Sequence, residues 1–141
     1  MRKTFLRTGS ILAFLAVGLG ALGAHALKGI LSPERLISFE TGVRYHLIHA
    51  LAILIVAALL HFGKKQSLVI SGWLFFAGVI LFSGSIYLLT LQDVLAVNLS
   101  FLGPVTPIGG VLMMAGWVML AVSSYQHAEH GHGKTGKDKP E

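Results

Sequence analysis

Ionisable side chains are concentrated between residues 40 and 49, where the chain enters a long apolar run. Glu40 and Arg44 precede the run, and Tyr45, His46 and His49 lie at its start. The sequence after His46 is apolar on every face of a helix, which predicts a helix surrounded by lipid and protein. Ionisable groups are unfavourable beside hydrocarbon, so their presence there suggests that these residues have a function.

The spacing of two histidines brings their imidazoles to one side of that helix. His46, His49 and Tyr45 lie within about 100° of one another around the helix axis. His25 ends an earlier apolar run and is expected at the same face of the membrane. Three imidazoles and the carboxylate of Glu40 could then bind a transition metal, hold a haem, or bind a proton or a small ligand.

The same residues also have interpretations that need no ligand. His46 and His49 could bond to backbone carbonyls and hold helices together, and a haem needs a deeper apolar slot than a site near the membrane surface. Glu40 and Arg44 have the spacing of a helical ion pair, which is worth roughly a few tenths of a kcal/mol when exposed. The sequence assigns no metal and no cofactor. The candidates for ligand or proton binding are His25, Glu40, Arg44, Tyr45, His46 and His49.

The composition is that of a membrane protein. Of the 141 residues, 54% are hydrophobic and 12% are charged, whereas about 25% of the residues of a soluble domain are charged. Four runs are long enough to cross a hydrocarbon core about 30 Å thick. They cover residues 9–27, 45–62, 68–91 and 107–125. The predicted fold is all-α, an integral membrane four-helix bundle over residues 1–126, followed by a disordered cytoplasmic tail, 127–141.

The basic residues predict the orientation of the spans. Eight of the 11 Lys and Arg residues precede the first span, separate the second from the third, or follow the fourth. By the positive-inside rule both termini are then cytoplasmic, and residues 28–44 and 92–106 are outside. This distribution accounts for the positive net charge without a nucleic-acid partner. The expected partners are the lipid bilayer and either a second copy of the chain or another membrane protein.

The first span has a second interpretation as a cleavable signal peptide, because a basic start and an apolar core precede the string Ala24-His25-Ala26. Against this, Ala16, Gly20 and Ala24 recur every four residues. That spacing places small side chains on one helix face and favours packing against another helix.

Two segments between the spans also have a predicted structure. Ser32 as an N-cap and Pro33 at the first helical position predict a helix start. The amphipathic pattern that follows predicts a short helix at the outer interface, leading into the second span with a bend at Gly42. Thr106 is the predicted cap of the fourth span, and residues 103–110 are expected to roof the candidate cluster.

Four strings of residues together resemble one family of small membrane proteins. They are GALGAHAL (20–27), TGVRYHLIHA (41–50), GWLFFAGVILFSGSIY (72–87) and PVTPIGG (104–110). The chain is similar over about residues 10–125 to the domain of unknown function 423 family, which is related to transmembrane protein 256. The resemblance implies four membrane helices, retention of the first span, and a bacterial plasma membrane or mitochondrial location, of which the basic N-terminus favours the bacterial one. It implies no particular activity.

The sequence does not predict an enzyme. It contains no cysteine, no Ser-His-Asp set and no phosphate-binding glycine loop. We therefore predict a multi-pass protein of the plasma (inner) membrane that acts as a non-enzymatic binding or assembly module for a lipid, a quinone or another membrane protein. The alternative is a small oligomeric conduit or transporter that passes protons or metal ions through the His and Glu cluster, although four spans are few for a transporter.

Overall fold

The computed structural model describes residues 1–63 and 65–125 of the chain. Its four α-helices are α1 (Arg2–Ala24), α2 (Pro33–Phe62), α3 (Gln66–Leu91) and α4 (Val105–Tyr125). All four are long and apolar enough to cross a membrane, which confirms the predicted all-α class with four spans. The predicted tail, residues 127–141, lies outside the described residues.

Helix α2 begins where the sequence predicts and continues without a break into the second span. The Ser32 hydroxyl accepts a hydrogen bond from the Arg35 N–H (3.4 Å), and Pro33 is the first helical residue. The helix is 30 residues long, so the predicted amphipathic helix is present as its first turns, and the predicted bend does not interrupt it at Gly42. At 1.5 Å per residue α2 is about 45 Å long, which exceeds a hydrocarbon core of about 30 Å. Helix α2 therefore tilts or extends beyond the hydrocarbon.

Successive helices pack against each other: α1 against α2, α2 against α3, and α3 against α4. The start of α1, the end of α2, the start of α3 and the end of α4 form one end of the bundle, here called the basic end. Arg2 donates there to His61 Nδ1 (3.0 Å), and the Lys65 ammonium donates to the carbonyl of Ser123. The opposite end, here called the loop end, contains the α1–α2 and α3–α4 connections.

The buried apolar side chains form two cores along the bundle. The larger core includes Ile53 and Val56 of α2 and Phe75 of α3. The smaller one lies at the loop end and contains Leu31 and Phe39. Along α2 the two histidines of the candidate cluster lie between these cores, so their polar atoms are enclosed by apolar packing above and below.

Helix α4 begins earlier than predicted. Its first residue is Val105, so Pro107 is its third residue and Thr106 is not its N-cap. The Thr106 hydroxyl lies instead 2.7 Å from the Ser85 hydroxyl of α3. The N-cap prediction was wrong. The Thr106 hydroxyl was expected to bond to the backbone of its own helix, but its hydrogen-bond partner lies on α3.

Small residues let the helices approach closely. A Cβ at Gly109 would lie 2.3 Å from the backbone nitrogen of Phe82, so the first turn of α4 lies directly against the α3 backbone. On α1 the predicted face of small residues is correct at Ala16, which is buried. It is wrong at Ala24, which is exposed, because Gly23, two helical turns after Ala16, occupies the buried position and faces Phe39.

Replacing Gly109 by Ala should force α3 and α4 apart, because the new methyl group would collide with the Phe82 backbone rather than with a movable side chain. We expect the free energy of unfolding to fall by about 1–3 kcal/mol, measured by circular dichroism in mixed micelles of increasing denaturing detergent. Gly84→Ala is the matched control, since a Cβ at Gly84 meets no atom within 4 Å. Equal stabilities of the two variants would contradict the close contact.

Candidate functional site

Both histidines of the candidate cluster point into the bundle. His46 and His49 are each 4% exposed, as expected from their shared helix face. Tyr45 lies at the edge of the pair, 42% exposed, with its ring stacked on that of His49 at 6.1 Å. Helix α2 therefore carries two buried imidazoles, and the phenol of Tyr45, which reaches the surface, stacks on that of His49.

His49 joins three helices and uses both ring nitrogens. Trp117 of α4 donates its indole N–H to His49 Nε2 (3.1 Å), and His49 Nδ1 lies 2.8 Å from the Tyr45 carbonyl. An indole N–H can only donate, so Nε2 accepts and the proton of a neutral imidazole is on Nδ1, from which it is donated to the carbonyl. The Phe75 ring of α3 packs against both, at 5.5 Å from His49 and 4.9 Å from Trp117. His49 therefore has the structural role that the sequence left open.

His46 is less completely satisfied. Its Nδ1 lies 3.1 Å from the Tyr87 hydroxyl of α3. Its Nε2 is buried and has no hydrogen-bond partner among residues 1–63 and 65–125. An unpaired buried polar atom is rare in folded proteins and costs about 1–3 kcal/mol. His46 is therefore the buried side chain of this site with unused hydrogen-bonding capacity.

The other three candidates lie on the outside of the bundle. The side chains of His25, Glu40 and Arg44 are exposed and form no hydrogen bond or ion pair with any described residue. The predicted single cluster of six residues was therefore wrong. Gly42 faces α3, where a Cβ would lie 3.0 Å from the Tyr87 ring. Glu40 and Arg44 are each two positions from Gly42, or about 200° around the helix, so they point away from α3.

Residues 103–110, predicted to roof the cluster, contact α3, and their position over the cluster stays a prediction. Gly109 packs against Phe82 of α3, and Phe101 in the preceding turn is 70% exposed. The segment over residues 103–110 runs into α4 alongside α3, because the glycine lets the two backbones meet.

The metal and haem hypotheses both required His25 or Glu40 to converge with the buried imidazoles. Within the described part of the chain no three His, Asp or Glu side chains are grouped as metal ligands would be. His46 and His49 lie in the bundle interior and Tyr45 stacks on His49 at its edge, whereas His25, Glu40 and Arg44 lie on the bundle surface. A role of the six residues in binding a ligand or a proton stays a prediction.

Two features of the site were not identified from the sequence. Trp117 lies in the middle of an apolar span, where its N–H needs an acceptor, and that requirement could have indicated a partner such as His49. Arg35 donates to the Leu89 carbonyl at the end of α3 (2.6 Å) and forms an ion pair with Asp93 (2.7 Å). Asp93 is the single acidic residue between the third and fourth spans, and this could have indicated it as an ion-pair partner.

Comparison with known proteins gives one family. Residues 19–110 match the family model described as "Protein of unknown function (DUF423)". The chain is 43% identical over 126 residues to the UPF0382 membrane protein YwdK of Bacillus subtilis (strain 168), covering 89% of this chain and 98% of the relative. It is 41% identical over 128 residues to the UPF0382 membrane protein SAB0533 of Staphylococcus aureus (strain bovine RF122 / ET3-1), with the same coverage. No solved structure matches significantly.

Removal of the indole N–H at position 117 tests the structural role of His49. Trp117→Phe leaves His49 Nε2 buried without its donor, so we expect the free energy of unfolding in micelles to fall by about 1–3 kcal/mol. Trp73→Phe is the matched control, because Trp73 is as exposed as Trp117 (43% and 42%) and its indole donates to no described residue.

In nitrogen-15 NMR spectra of labelled protein, His49 should give the signals of a neutral imidazole protonated on Nδ1. A loss of stability no larger than that of Trp73→Phe would contradict this role.

Proposed function

The chain belongs to the DUF423 family and is a membrane protein, and we propose that it is a non-enzymatic binding or assembly module of the bacterial plasma membrane. Its partners in this proposal are the lipid bilayer and either a second copy of the chain or another membrane protein. These relatives are bacterial, and their names mention no activity.

One observation carries this proposal: the charged candidates are on the outer surface of the bundle and have no partner in the described chain. Glu40 and Arg44 share one face of α2 with Ile37 and Ile48, at spacings of three and four residues. The two isoleucines are 65% and 46% exposed. A face with an unpaired acid and an unpaired base between exposed apolar side chains has the composition of a contact surface, here called the α2 outer face. A partner with complementary charges would pair with these two groups, which no described residue pairs.

The interior of the bundle supports binding or assembly over catalysis. His49 engages both of its ring nitrogens, so it has no free site for proton transfer without losing a helix contact. The carboxylate of Glu40, which could have acted with a histidine as an acid–base pair, points away from both imidazoles. The buried polar groups therefore support a role in holding the helices in register.

A proton conduit is the second candidate, and the unpaired Nε2 of His46 favours it. A proton relay needs successive groups within hydrogen-bonding reach, and in the described chain His46 contacts a single polar partner, Tyr87. Proton flux into liposomes that is abolished by His46→Ala is the result that this candidate requires.

In the proposed orientation the basic end faces the cytoplasm, so both termini are cytoplasmic. The charges of the described chain support this. The basic end carries Arg2, Lys3, Arg7 and Lys65, whereas the acidic residues Glu34, Glu40 and Asp93 all lie toward the loop end. Basic residues are retained on the cytoplasmic side during membrane insertion.

A photoreactive amino acid at position 37 should form a discrete crosslinked product in native membranes, because Ile37 is beside Glu40 and Arg44 on the α2 outer face. The double substitution Glu40→Gln with Arg44→Gln should decrease this product severalfold, since it removes both charges and retains similar side-chain size. The control position is 14, because Phe14 of α1 is 78% exposed on an apolar surface. The same product from both positions, or a product unaffected by the double substitution, would count against the proposal.

The orientation can be tested with single cysteines, since the chain contains none. Glu34→Cys is at the loop end and should react with a membrane-impermeant thiol reagent in intact cells. Lys3→Cys is at the basic end and should react only after the membrane is permeabilised, because the positive-inside rule places it in the cytoplasm. The opposite labelling pattern would reverse the orientation.

A further inference from the structure

An apolar groove opens at the basic end of the bundle, between α2 and α4. Its volume is about 320 Å³, and α3 contributes part of its wall. The apolar lining comes from Leu59 and Phe62 of α2, Leu68 of α3 and Leu120 of α4. Phe62 is 78% exposed. A groove of this composition in a membrane helix bundle is suited to a hydrocarbon chain.

A cation lies in the lining of the same groove. The ammonium of Lys65 donates one hydrogen bond to the carbonyl of Ser123, and both residues line the groove. An ammonium has three N–H donors, so two are not used by any described residue and can donate to oxygen atoms of a ligand. The bond to Ser123 also fixes the position of the charge, and α3 begins at Gln66, so the positive end of its helix dipole adds to the attraction for an anion.

The charges around the groove are positive. Arg2, Lys3 and Arg7 are exposed at the same end of the bundle. The acidic residues within the described ranges all lie toward the loop end, so no described carboxylate neutralises Lys65. A second groove of about 330 Å³ adjoins the first at Phe62 and is lined by Arg2, His61 and apolar side chains of α1 and α2. Apolar grooves beside cations that no described carboxylate neutralises thus occur twice at this end.

We propose that the groove between α2 and α4 binds an anionic phospholipid, with the lipid phosphate on the Lys65 ammonium and one acyl chain against Leu59, Leu68 and Leu120. Charge complementarity selects the headgroup, and the apolar walls select an intact lipid over a free phosphate. This site is at the opposite end of the bundle from Glu40 and Arg44, so it does not depend on the α2 outer face being a contact surface.

The test compares two lipids with identical acyl chains, anionic phosphatidylglycerol and zwitterionic phosphatidylcholine. Binding to the purified full-length protein is measured by native mass spectrometry as lipid is added to detergent micelles. We expect the wild-type protein to bind phosphatidylglycerol about fivefold more tightly. Lys65→Gln should reduce this preference to about twofold or less, and Lys65→Arg should retain it because the charge is kept. Lys28→Gln, which removes an exposed lysine at the loop end, should leave it unchanged.

A second variant tests the acyl chain. Leu59→Trp partly fills the groove and keeps Lys65, so it should weaken the binding of phosphatidylglycerol severalfold even if Lys65→Gln proves too unstable to measure. Inorganic phosphate at the same concentration should not displace the lipid. Equal binding of the two lipids by the wild-type protein, an unchanged preference in Lys65→Gln, or displacement by inorganic phosphate would overturn the proposal.

Discussion

Hydrocarbon offers no hydrogen bonds, so each polar group that the bundle buries must find its partner within the chain. Two fully buried serines of α3 show how this is done. Ser71 donates to the carbonyl of Gly116 on α4 (2.8 Å), and Ser83 donates to the carbonyl of Gly42 on α2 (2.9 Å). In both pairs the acceptor is a glycine, because without a Cβ the backbone comes close enough for a short hydroxyl to reach its carbonyl. These contacts fix α3 between its two neighbours.

The same requirement distinguishes the two histidines of α2. His49 meets it fully, through Trp117 and the Tyr45 carbonyl, and therefore acts as a fixed link between helices. His46 meets it only at Nδ1. Two residues of one type, three positions apart and equally buried, thus have different chemical capacity. The difference arises from the neighbours. The Trp117 indole of α4 donates to Nε2 of His49, whereas no described donor or acceptor reaches Nε2 of His46.

Charge separates the two ends of the bundle. The loop end has both signs, and there the Arg35 guanidinium joins the start of α2 to the end of α3 through a carbonyl and Asp93. The basic end has cations beside apolar grooves and no described acid. Opposite charges can pair within the bundle, whereas cations that no described carboxylate neutralises can bind an external anion. The loop end is therefore suited to partners with mixed charge and the basic end to anionic ones.

The sequence by itself determined the class, the four spans, the start of α2 and the family, because these depend on composition, on local capping and on strings of residues. It also determined that His46 and His49 share one face of α2, since helical periodicity fixes the angle between them. Periodicity does not fix which neighbour a face meets. Only the tertiary structure placed α3 against Gly42, and that contact turned Glu40 and Arg44 outward. It also gave His49 its donor from Trp117, because residues 68 positions apart become neighbours only when α2 and α4 both pack against α3.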